Sequence, residues 1–389
     1  MRLLLVTQDF PPDVGGIQTY AWELARRLAD ATERMEVIAP HRPSYERVDE
    51  TAPFRVTRVR GRPDWLPITG CRAVVQRARA LQPHISFHAQ WQTVGTALLA
   101  RAITGWPRRI VCAAHGRELL FNGLAGIPGG AAVYQRLRHV LLHRVDRFVP
   151  VSHYTGRLLR QQDVPLERIR VVPNGTDPDR FQPQNADALR ARLGIADNAV
   201  LLTVGRLVPR KGLDTTLRAL PAIAASIPTV TYLIAGTGPD RTRLERLAER
   251  LGIRNRVRFR GQVPYADLPT YYSAADLFVM PSREDRPDVE GFGLVFLEAN
   301  ACGTPVVGAR SGGIPDAIVA GETGVLVPPG QPEALATSIC HLLSDPDKLR
   351  RMEAAGRRYV VKEASWEHVT AQLQRVIEEE IRDDIVPQN

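Results

Sequence analysis

The chain of 389 residues lacks the features that mark several classes of protein. It has four scattered cysteines that form neither a CxxC pair nor a Cys/His cluster, Cys71, Cys112, Cys302 and Cys340. This scatter favours a reducing compartment and argues against a structural metal site. No apolar run approaches the roughly 18 residues of a membrane-spanning helix. The apolar start of the chain is too short for a signal peptide and indicates a first strand. We therefore expect a cytoplasmic protein.

Lysine is absent from the first 175 residues, where 25 arginines and 14 acidic residues give a net charge of +11. Residues 176–389 carry 26 basic and 28 acidic residues, a net charge of −2. A basic half suggests an anionic partner such as lipid headgroups, nucleic acid or a phosphorylated substrate. Arginine enrichment without any partner explains the count equally well. The composition is otherwise that of a soluble globular protein, and the length predicts two domains.

Short apolar runs alternate with helical patterns along the chain and predict an α/β protein. In the first half we predict strands at 2–7, 35–39, 54–59, 85–88, 109–114 and 147–151. In the second half we predict them at 199–205, 230–235, 257–259, 276–280, 305–308 and 324–327. This alternation implies largely parallel sheets with ligands at the carboxyl ends of the strands. The glycines after the first strand do not have GxGxxG spacing, so a nicotinamide fingerprint is absent.

The stretch 289–299 places Glu290 and Glu298 eight residues apart, around a Gly-Phe-Gly segment and an apolar run that begins at Leu294. If Leu294 opens a helix, the amides of residues 292–294 are unpaired donors at its positive end. Amides hold phosphate and carboxylates hold hydroxyls, so the stretch suits a phosphorylated sugar. In the alternative interpretation, Glu298 complements the helix dipole and Glu290 is only a loop charge.

Two other loops follow predicted strands and carry residues suited to chemistry. Arg206 and Lys211 lie on a glycine-bounded loop after the strand at 199–205 and suit a diphosphate. His115 follows the strand at 109–114, where it is either a functional group or a surface histidine in a turn. The acidic pairs at 177/179 and 345/347 have DxD spacing, but the proline inside each pair indicates a turn and a helix N-cap. We reject both pairs as metal sites.

Together these motifs resemble the retaining GT-B glycosyltransferases of family 4. The resemblance rests on Gly15-Gly16, on Arg206 with Lys211, and on the two glutamates around Glu-Gly-Phe-Gly-Leu, and it covers nearly the whole chain. The opening Gln-Asp-Phe-Pro-Pro motif is most similar to the bacterial mannosyltransferases that build phosphatidylinositol mannosides. The resemblance implies two Rossmann-like domains that face each other across a deep cleft. Residues 1–175 would form the acceptor-binding domain, joined by a final helix at about 370–389 that crosses back to it, and residues 176–369 the donor-binding domain.

The resemblance also implies the roles of individual residues. The catalytic residues would be His115, Arg206, Lys211 and Glu290. The donor-binding residues would be Gly16, Arg206, Lys211, Val263, Glu290, Phe292, Gly293, Leu294 and Glu298. The acceptor-binding residues would be Asp13 and Gln18. Within this set, Arg206 and Lys211 would bind the donor diphosphate, Glu298 the ribose hydroxyls, Glu290 the hydroxyls of the transferred sugar, and Val263 the base.

The implied activity is transfer of a hexose, mannose from GDP-mannose, to a hydroxyl of a lipid-linked or polyol acceptor. No metal or other cofactor is expected, because two fixed cations can stabilise the departing diphosphate. The residues leave open a UDP-sugar-dependent transferase with a soluble or polysaccharide acceptor. A sugar-nucleotide epimerase would need a set of acid/base side chains, and the pattern of paired glutamates does not indicate such a set. A nucleic-acid partner is not expected, since the arginine-rich segment carries no aromatic interleaving and no recognition motif.

Residues 55–79 suggest contact with an anionic membrane surface. The arginines that would meet lipid headgroups are Arg55, Arg58, Arg60, Arg62, Arg72, Arg77 and Arg79. Between them, Trp65 and Leu66 would enter the interface, and the protein would then be peripheral at the inner face of the plasma membrane. In the alternative interpretation, the same segment is a solvated helix face with Trp65 packed in the core.

Overall fold

The computed structural model describes residues 1–123, 126 and 129–385, which form two compact units. The first unit consists of Met1–Asn174 and the segment from Trp366 onward, and the second of Gly175–Ser365. These limits lie close to the predicted ones at 175/176 and about 370. Residues 386–389 of the predicted final helix lie outside the described residues.

The first unit contains a parallel six-stranded sheet in the order β3-β2-β1-β4-β5-β6. Its strands are β1 (Arg2–Val6), β2 (Arg34–Pro40), β3 (Arg55–Val59), β4 (Ile85–His88), β5 (Arg109–Ala114) and β6 (Arg147–Pro150). Its helices are α1 (Gly16–Asp30), α2 (Glu46–Asp49), α3 (Leu66–Thr69), α4 (Cys71–Leu81), α5 (Val94–Thr104), α6 (Arg117–Leu120), α7 (Gly130–Leu142) and α8 (His153–Arg160).

The second unit contains a parallel six-stranded sheet in the order β12-β11-β10-β7-β8-β9. Its strands are β7 (Val200–Val204), β8 (Thr231–Ala235), β9 (Val257–Gly261), β10 (Leu277–Met280), β11 (Val306–Ala309) and β12 (Gly324–Val327). Its helices are α9 (Asp187–Arg192), α10 (Leu213–Ser226), α11 (Arg241–Arg250), α12 (Leu268–Ser273), α13 (Leu294–Ala301), α14 (Ile314–Ala317), α15 (Pro332–Leu343) and α16 (Pro346–Glu363). All twelve predicted strands are confirmed, with ends that differ by no more than two residues.

The last helix, α17 (Trp366–Ile385), returns to the first unit as expected. The buried ring of Trp366 packs edge-on against Tyr20 of α1. Glu367 pairs with Arg27 of α1 at 2.7 Å, so charge as well as apolar contact attaches the first turn of α17. Farther along, Glu380 pairs with Arg147 of β6 at 2.5 Å.

Both sheets are buried on their two faces, which explains why their strands are continuous apolar runs. Leu5 of β1, for example, pairs with Val37 of β2 and Phe87 of β4, and all three side chains are fully buried. Strand order changes direction between β1 and β4 in the first sheet and between β7 and β10 in the second. Ligands of such sheets bind at these switch points, beyond the carboxyl ends of the strands. Within the described residues no helix is long and apolar enough to span a bilayer.

Candidate functional site

In the second unit, the loops after β7 and β10 meet at the switch point of the sheet. The backbone N–H of Arg283 donates to the carbonyl of Arg210 at 2.8 Å. Gly212 has a φ of +71°, and a Cβ there would lie 2.1 Å from the carbonyl oxygen of Pro281. Only glycine therefore allows the loop that carries Lys211 to come so close to the loop after β10.

Glu290 lies at the centre of this contact. Its Oε2 accepts hydrogen bonds from Nζ of Lys211, at 2.6 Å, and from the guanidinium of Arg210. Burial alone would raise the pKa of Glu290, but Lys211 and Arg210 outweigh burial and hold that pKa at about 2. The carboxylate is therefore ionised at neutral pH. Arg210 was not among the predicted site residues, and Lys211 and Glu290 were predicted to have separate roles, whereas the structure joins all three in one ion-pair cluster.

The main chain of Glu290 is held by the loop after β11. The N–H of Gly313 donates to the Glu290 carbonyl at 2.8 Å. The neighbouring Gly312 has a φ of +55°, and a Cβ there would lie 2.3 Å from the same oxygen. The glycine pair that follows β11 thus serves to fix the carboxylate.

Helix α13 begins at Leu294, as predicted. Gly293 caps it with a φ of +99°, and a Cβ at this position would lie 2.7 Å from the ring of Phe296. The first-turn amides of a helix have no acceptor within the helix and favour an anion. Glu290 precedes this helix end and Glu298 lies about one turn inside it, so the predicted anion site and both carboxylates share one sheet edge.

Glu298 is 7% exposed and is held by a residue that was not among the predicted site residues. Its Oε2 accepts a hydrogen bond from the hydroxyl of Tyr272 at 2.6 Å. Burial raises the pKa of Glu298 to about 7, against the opposing effects of Tyr272 and Lys211. The position of Tyr272 in an apolar helical pattern predicts a core residue, and no sequence signal marked its hydroxyl.

Two more of the predicted donor residues follow neighbouring strands of the same edge. Arg206 is exposed in the loop after β7, and Val263 is half-buried after β9. The loops after β7 and β8 approach so closely that a Cβ at Gly236 would lie 1.9 Å from the carbonyl oxygen of Gly205.

A second ion-pair chain, also missed from sequence, supports the cationic loop. Arg283 pairs with Asp214 of α10 at 2.8 Å, and Asp214 also lies 3.5 Å from Arg243 of α11. Burial would raise the pKa of Asp214, but Arg283 and Arg243 lower it. The charged loop at 283–288 is thus tied to the start of α10, directly after the Lys211 loop.

In the first unit, His115 follows β5 and lies half-buried against the edge of Tyr20, with ring centroids 4.8 Å apart. The imidazole donates a hydrogen bond to the carbonyl of Ala89, while the buried Nε2 has no partner among the described residues. Burial lowers the pKa of His115 to about 4, so the ring is neutral at pH 7. A neutral ring with Nδ1 donating leaves Nε2 as a hydrogen-bond acceptor.

Glu118 determines the conformation of the backbone at His115. Its Oε1 accepts from the backbone N–H of His115 at 2.6 Å and from that of Gly116 at 3.2 Å. The φ of Gly116 is +112°, a conformation that favours glycine. Glu118 was not among the predicted residues, although its spacing after His115-Gly116 is compatible with this contact.

The predicted acceptor residues lie after β1 and are already engaged. Asp13 pairs with Arg42 at 2.6 Å, and the side-chain amide of Gln18 donates to Asp9 at 2.6 Å. Asp9 also accepts from the amide of Gln90, which follows β4. Burial raises the pKa of Asp9. Gly16, the predicted amide donor, is the first residue of α1.

The two DxD segments form turns and caps, as expected from their prolines. Asp177 accepts from the backbone N–H groups of Asp179 and Arg180, which closes a turn, but no helix follows directly, so the N-cap predicted there is wrong. Asp345 caps α16 by accepting from the N–H of Lys348 at 2.9 Å. Among the residues described, no group of three or more His, Cys, Asp or Glu side chains could hold a metal ion.

The structure corrects the proposed membrane segment at 55–79. Arg58 is enclosed by an ion pair with Asp49 and by the rings of Phe10 and Tyr45. Arg77 pairs with the buried Glu36 through two hydrogen bonds of 2.5 and 2.6 Å.

Leu66 belongs to the core of the first unit and is 1% exposed, so it cannot enter a lipid interface. Trp65 is 53% exposed, so the alternative in which it packs in the core is also wrong.

Comparisons with known proteins agree over nearly the whole chain. Residues 14–180 match the family model Glycosyltransferase Family 4, and residues 185–359 match Glycosyl transferases group 1. The chain is 34% identical over 385 residues to the GDP-mannose-dependent alpha-(1-6)-phosphatidylinositol monomannoside mannosyltransferase of Mycolicibacterium smegmatis, covering 96% of this chain and 98% of that protein.

A second relative is the GDP-mannose-dependent monoacylated alpha-(1-6)-phosphatidylinositol monomannoside mannosyltransferase of Corynebacterium glutamicum. It is 33% identical over 394 residues, covering 98% of this chain and 99% of that protein. Among solved structures, HepE of Anabaena in complex with UDP has a TM-score of 0.81 at 24% identity and covers 97% of this chain and 100% of its own.

Two parallel sheets of this kind form the GT-B fold, and both matched family models are those of glycosyltransferases. The chain belongs to glycosyltransferase family 4. The predicted fold, family and enzyme class are thereby confirmed, and the epimerase and nucleic-acid-binding alternatives are dropped. The roles of individual residues stay predictions.

Proposed function

We propose that this enzyme transfers mannose from GDP-mannose to a hydroxyl of a lipid-linked acceptor, with retention of anomeric configuration. The observation that carries the proposal is the cluster of Lys211, Arg210 and Glu290 beside the start of α13. It combines cations and free amides for a diphosphate with a carboxylate for sugar hydroxyls. The donor and acceptor follow from the names of the relatives in Mycolicibacterium and Corynebacterium, which use GDP-mannose and phosphatidylinositol mannosides.

In the proposed reaction, charge develops on the departing diphosphate, and Arg206, Lys211 and the first amides of α13 stabilise it. Glu290 orients the transferred sugar by accepting from its hydroxyls. The acceptor hydroxyl attacks from the face that the diphosphate leaves, and its proton passes to the leaving phosphate. His115 accepts a hydrogen bond from a sugar hydroxyl through its unpartnered Nε2. No metal enters this scheme, because fixed cations take its place.

Transfer assays with a panel of sugar nucleotides test the proposal. The purified enzyme is incubated with EDTA, phosphatidylinositol monomannoside and GDP-mannose, UDP-glucose or UDP-galactose, and nucleotide release is measured. We expect turnover with GDP-mannose that EDTA does not reduce, and an α-linked product by NMR. Preference for a UDP-sugar and a soluble acceptor would replace this proposal with the runner-up activity.

A lipid-linked acceptor requires access to a bilayer, and the proposal includes docking of the first unit on an anionic membrane. Five exposed residues between positions 60 and 72, Arg60, Arg62, Trp65, Ile68 and Arg72, are here called the Trp65 surface. Three arginines around two exposed apolar side chains complement anionic headgroups and their acyl boundary.

Helix α7 offers a second exposed apolar stripe, with Val133, Leu137 and Val140 at helical spacing beside the exposed Arg136 and Arg144. This stripe is the competing docking surface.

Vesicle co-sedimentation at low salt tests docking. We expect binding to phosphatidylglycerol vesicles but not to phosphatidylcholine vesicles, and loss of binding in an R60E/R62E variant. An R26E/R160E variant, with the same change in net charge at other exposed sites of the unit, should still bind. Loss of binding in an L137E/V140E variant, with R60E/R62E unaffected, would move the surface to α7. If the unmodified enzyme binds neither type of vesicle, the docking proposal is contradicted.

A further inference from the structure

The hydroxyl of Tyr272 is built into the second unit at a place where the apolar surroundings would favour phenylalanine. The side chain is fully buried, with its ring against Phe278 and edge-on to Phe181. The backbone carbonyl of Tyr272 accepts a hydrogen bond from the hydroxyl of Thr304 at 2.7 Å, which fixes the end of α12. Its own hydroxyl points at a carboxylate, Oε2 of Glu298, at 2.6 Å. Burial of a hydroxyl costs free energy unless the hydroxyl makes a hydrogen bond.

The hydrogen bond from Tyr272 occupies only one of the two oxygens of the Glu298 carboxylate. Oε2 is occupied by Tyr272, and in the described residues no other hydrogen bond to this carboxylate is found. A carboxylate accepts about four hydrogen bonds, so Oε1 stays able to accept from a ligand. Tyr272 thus holds the group in one orientation with accepting capacity left over.

We propose that Tyr272 is a positioning residue, which orients the Glu298 carboxylate and keeps it charged so that it accepts hydrogen bonds from the donor ribose. This inference rests on the proposed role of Glu298 in binding the donor. Tyr272 itself touches no substrate in this scheme. It acts through Glu298, and its effect should therefore depend on the ribose hydroxyls and on pH.

The pH dependence follows from the groups that face Glu298. These are Tyr272 of α12, Lys211 of the loop after β7, and Cys302, which directly follows α13 and also faces Arg357 of α16. Burial raises the pKa of Glu298 to about 7, and the Tyr272 hydroxyl lowers it by bonding to the charged form. Binding of GDP should therefore strengthen as pH rises through 7. Without the hydroxyl, the pKa of Glu298 rises and this transition moves to higher pH.

The experiment is titration calorimetry of GDP and of 2′,3′-dideoxy-GDP between pH 6 and 9, with Tyr272→Phe and the matched control Tyr271→Phe. Tyr271 is the buried neighbour in the same helix and has no part in the Glu298 contact. For Tyr272→Phe we expect about fivefold weaker GDP binding at pH 7, a midpoint shifted up by about one pH unit, and a smaller difference at pH 9. Tyr271→Phe should match the unmodified enzyme, and dideoxy-GDP should bind all three proteins alike.

Several outcomes overturn the inference. A purely structural role for Tyr272 would weaken GDP and dideoxy-GDP equally at every pH, with a lower melting temperature. A second outcome is that the pH midpoint of GDP binding is unchanged in Tyr272→Phe while Glu298→Gln clearly loses GDP affinity. Tyr272 would then have no positioning role, but the proposed donor site would stand. If Glu298→Gln binds GDP as well as the unmodified enzyme, the proposed role of Glu298 fails, and the positioning role fails with it.

Discussion

The two units are built on the same sheet architecture, yet they differ in where they place charge and apolar surface. Of the eleven large hydrophobic side chains found exposed among the described residues, nine lie in the first unit and two in the second. The first unit also holds the excess of arginine, whereas residues 176–389 are nearly neutral. The second unit instead buries most of its candidate functional charges, with Lys211, Glu290 and Glu298 largely enclosed and Arg206 exposed.

This difference indicates a division of labour. Buried, paired charges at a sheet edge are pre-organised to stabilise charge that develops during a reaction, because little solvent has to reorganise there. Exposed apolar groups among arginines contribute little to chemistry and suit an extended, anionic, partly apolar partner. We infer that the second unit stabilises the departing nucleotide and the first unit meets the acceptor.

The largest effect on this division of labour is expected when a cation is removed from the second unit. Lys211→Ala and Arg206→Ala should each lower kcat/KM by about 2–4 kcal/mol of transition-state stabilisation, since each removes a fixed charge beside a developing anion. Steady-state kinetics with GDP-mannose measures this, and Arg218→Ala, an exposed arginine of α10, is the matched control. Near-normal turnover in both folded variants would show that the charge of the second unit does not drive the reaction.

Glu290→Gln should separate catalysis from binding within the second unit. Transfer should fall about 100-fold, because the carboxylate that orients the sugar is lost. Affinity for GDP should be unchanged or higher, because Lys211 and Arg210 are released from their ion pairs. Calorimetry with GDP checks the second expectation. A loss of GDP affinity as large as that of Glu298→Gln would mean that the two glutamates share one role.

The first unit should be the acid-sensitive one. Burial lowers the pKa of His88 to about 3 and that of His115 to about 4, whereas both titrate near 6.5 in an unfolded chain. Between these values the unfolded chain binds more protons, so stability is lost as pH falls below 6.5. Each histidine should cost about 2 kcal/mol between pH 6.5 and 5.

All five tryptophans lie in the first unit, so urea unfolding followed by tryptophan fluorescence reports on that unit. His88→Gln should remove about half of the pH dependence. In the second unit, Glu298 acts in the opposite sense, because its raised pKa makes the folded state bind more protons between pH 4.5 and 7. A first unit whose stability does not change from pH 7 to 5 would contradict the burial of neutral histidines.

The smallest effect is expected at the surface of the first unit. Trp65→Ala should change the free energy of unfolding by no more than about 0.5 kcal/mol, because the ring is exposed and fills no cavity. Urea unfolding measures the change, and vesicle binding of the same variant should weaken. A stability loss above about 1 kcal/mol would show that Trp65 is a core residue and remove the apolar part of the Trp65 surface.

The fold of both units was predictable from local patterns. Strands buried on two faces must be continuous apolar runs, and the helices between them must have apolar residues at helical spacing, so the alternation is visible without any contact. The start of α13 was predictable in the same way, from two glycines followed by an apolar run. Strand order and pairing partners carry no local signal of this kind, and they were not predicted.

Pairings between distant residues were the part that could not be predicted. Arg58 and Arg77 have the same sequence surroundings as the exposed Arg60 and Arg79, but Asp49 and Glu36 lie within reach only after β2 and β3 pair and α4 packs on the sheet. Leu66 and Trp65 are likewise adjacent in sequence and opposite in burial, because the short helix α3 presents one of them to the core.

By itself, the sequence determined the alternation of strands and helices, the turn that opens α13 and the presence of two carboxylates and two cations in candidate loops. Each of these depends on residues close together in the chain. Only the tertiary structure decided that Lys211 and Arg210 converge on Glu290, that Tyr272 bonds to Glu298 and that Nε2 of His115 is left unpartnered. These contacts join loops and helices from different strands, and they form only where a parallel sheet brings its carboxyl ends to one edge.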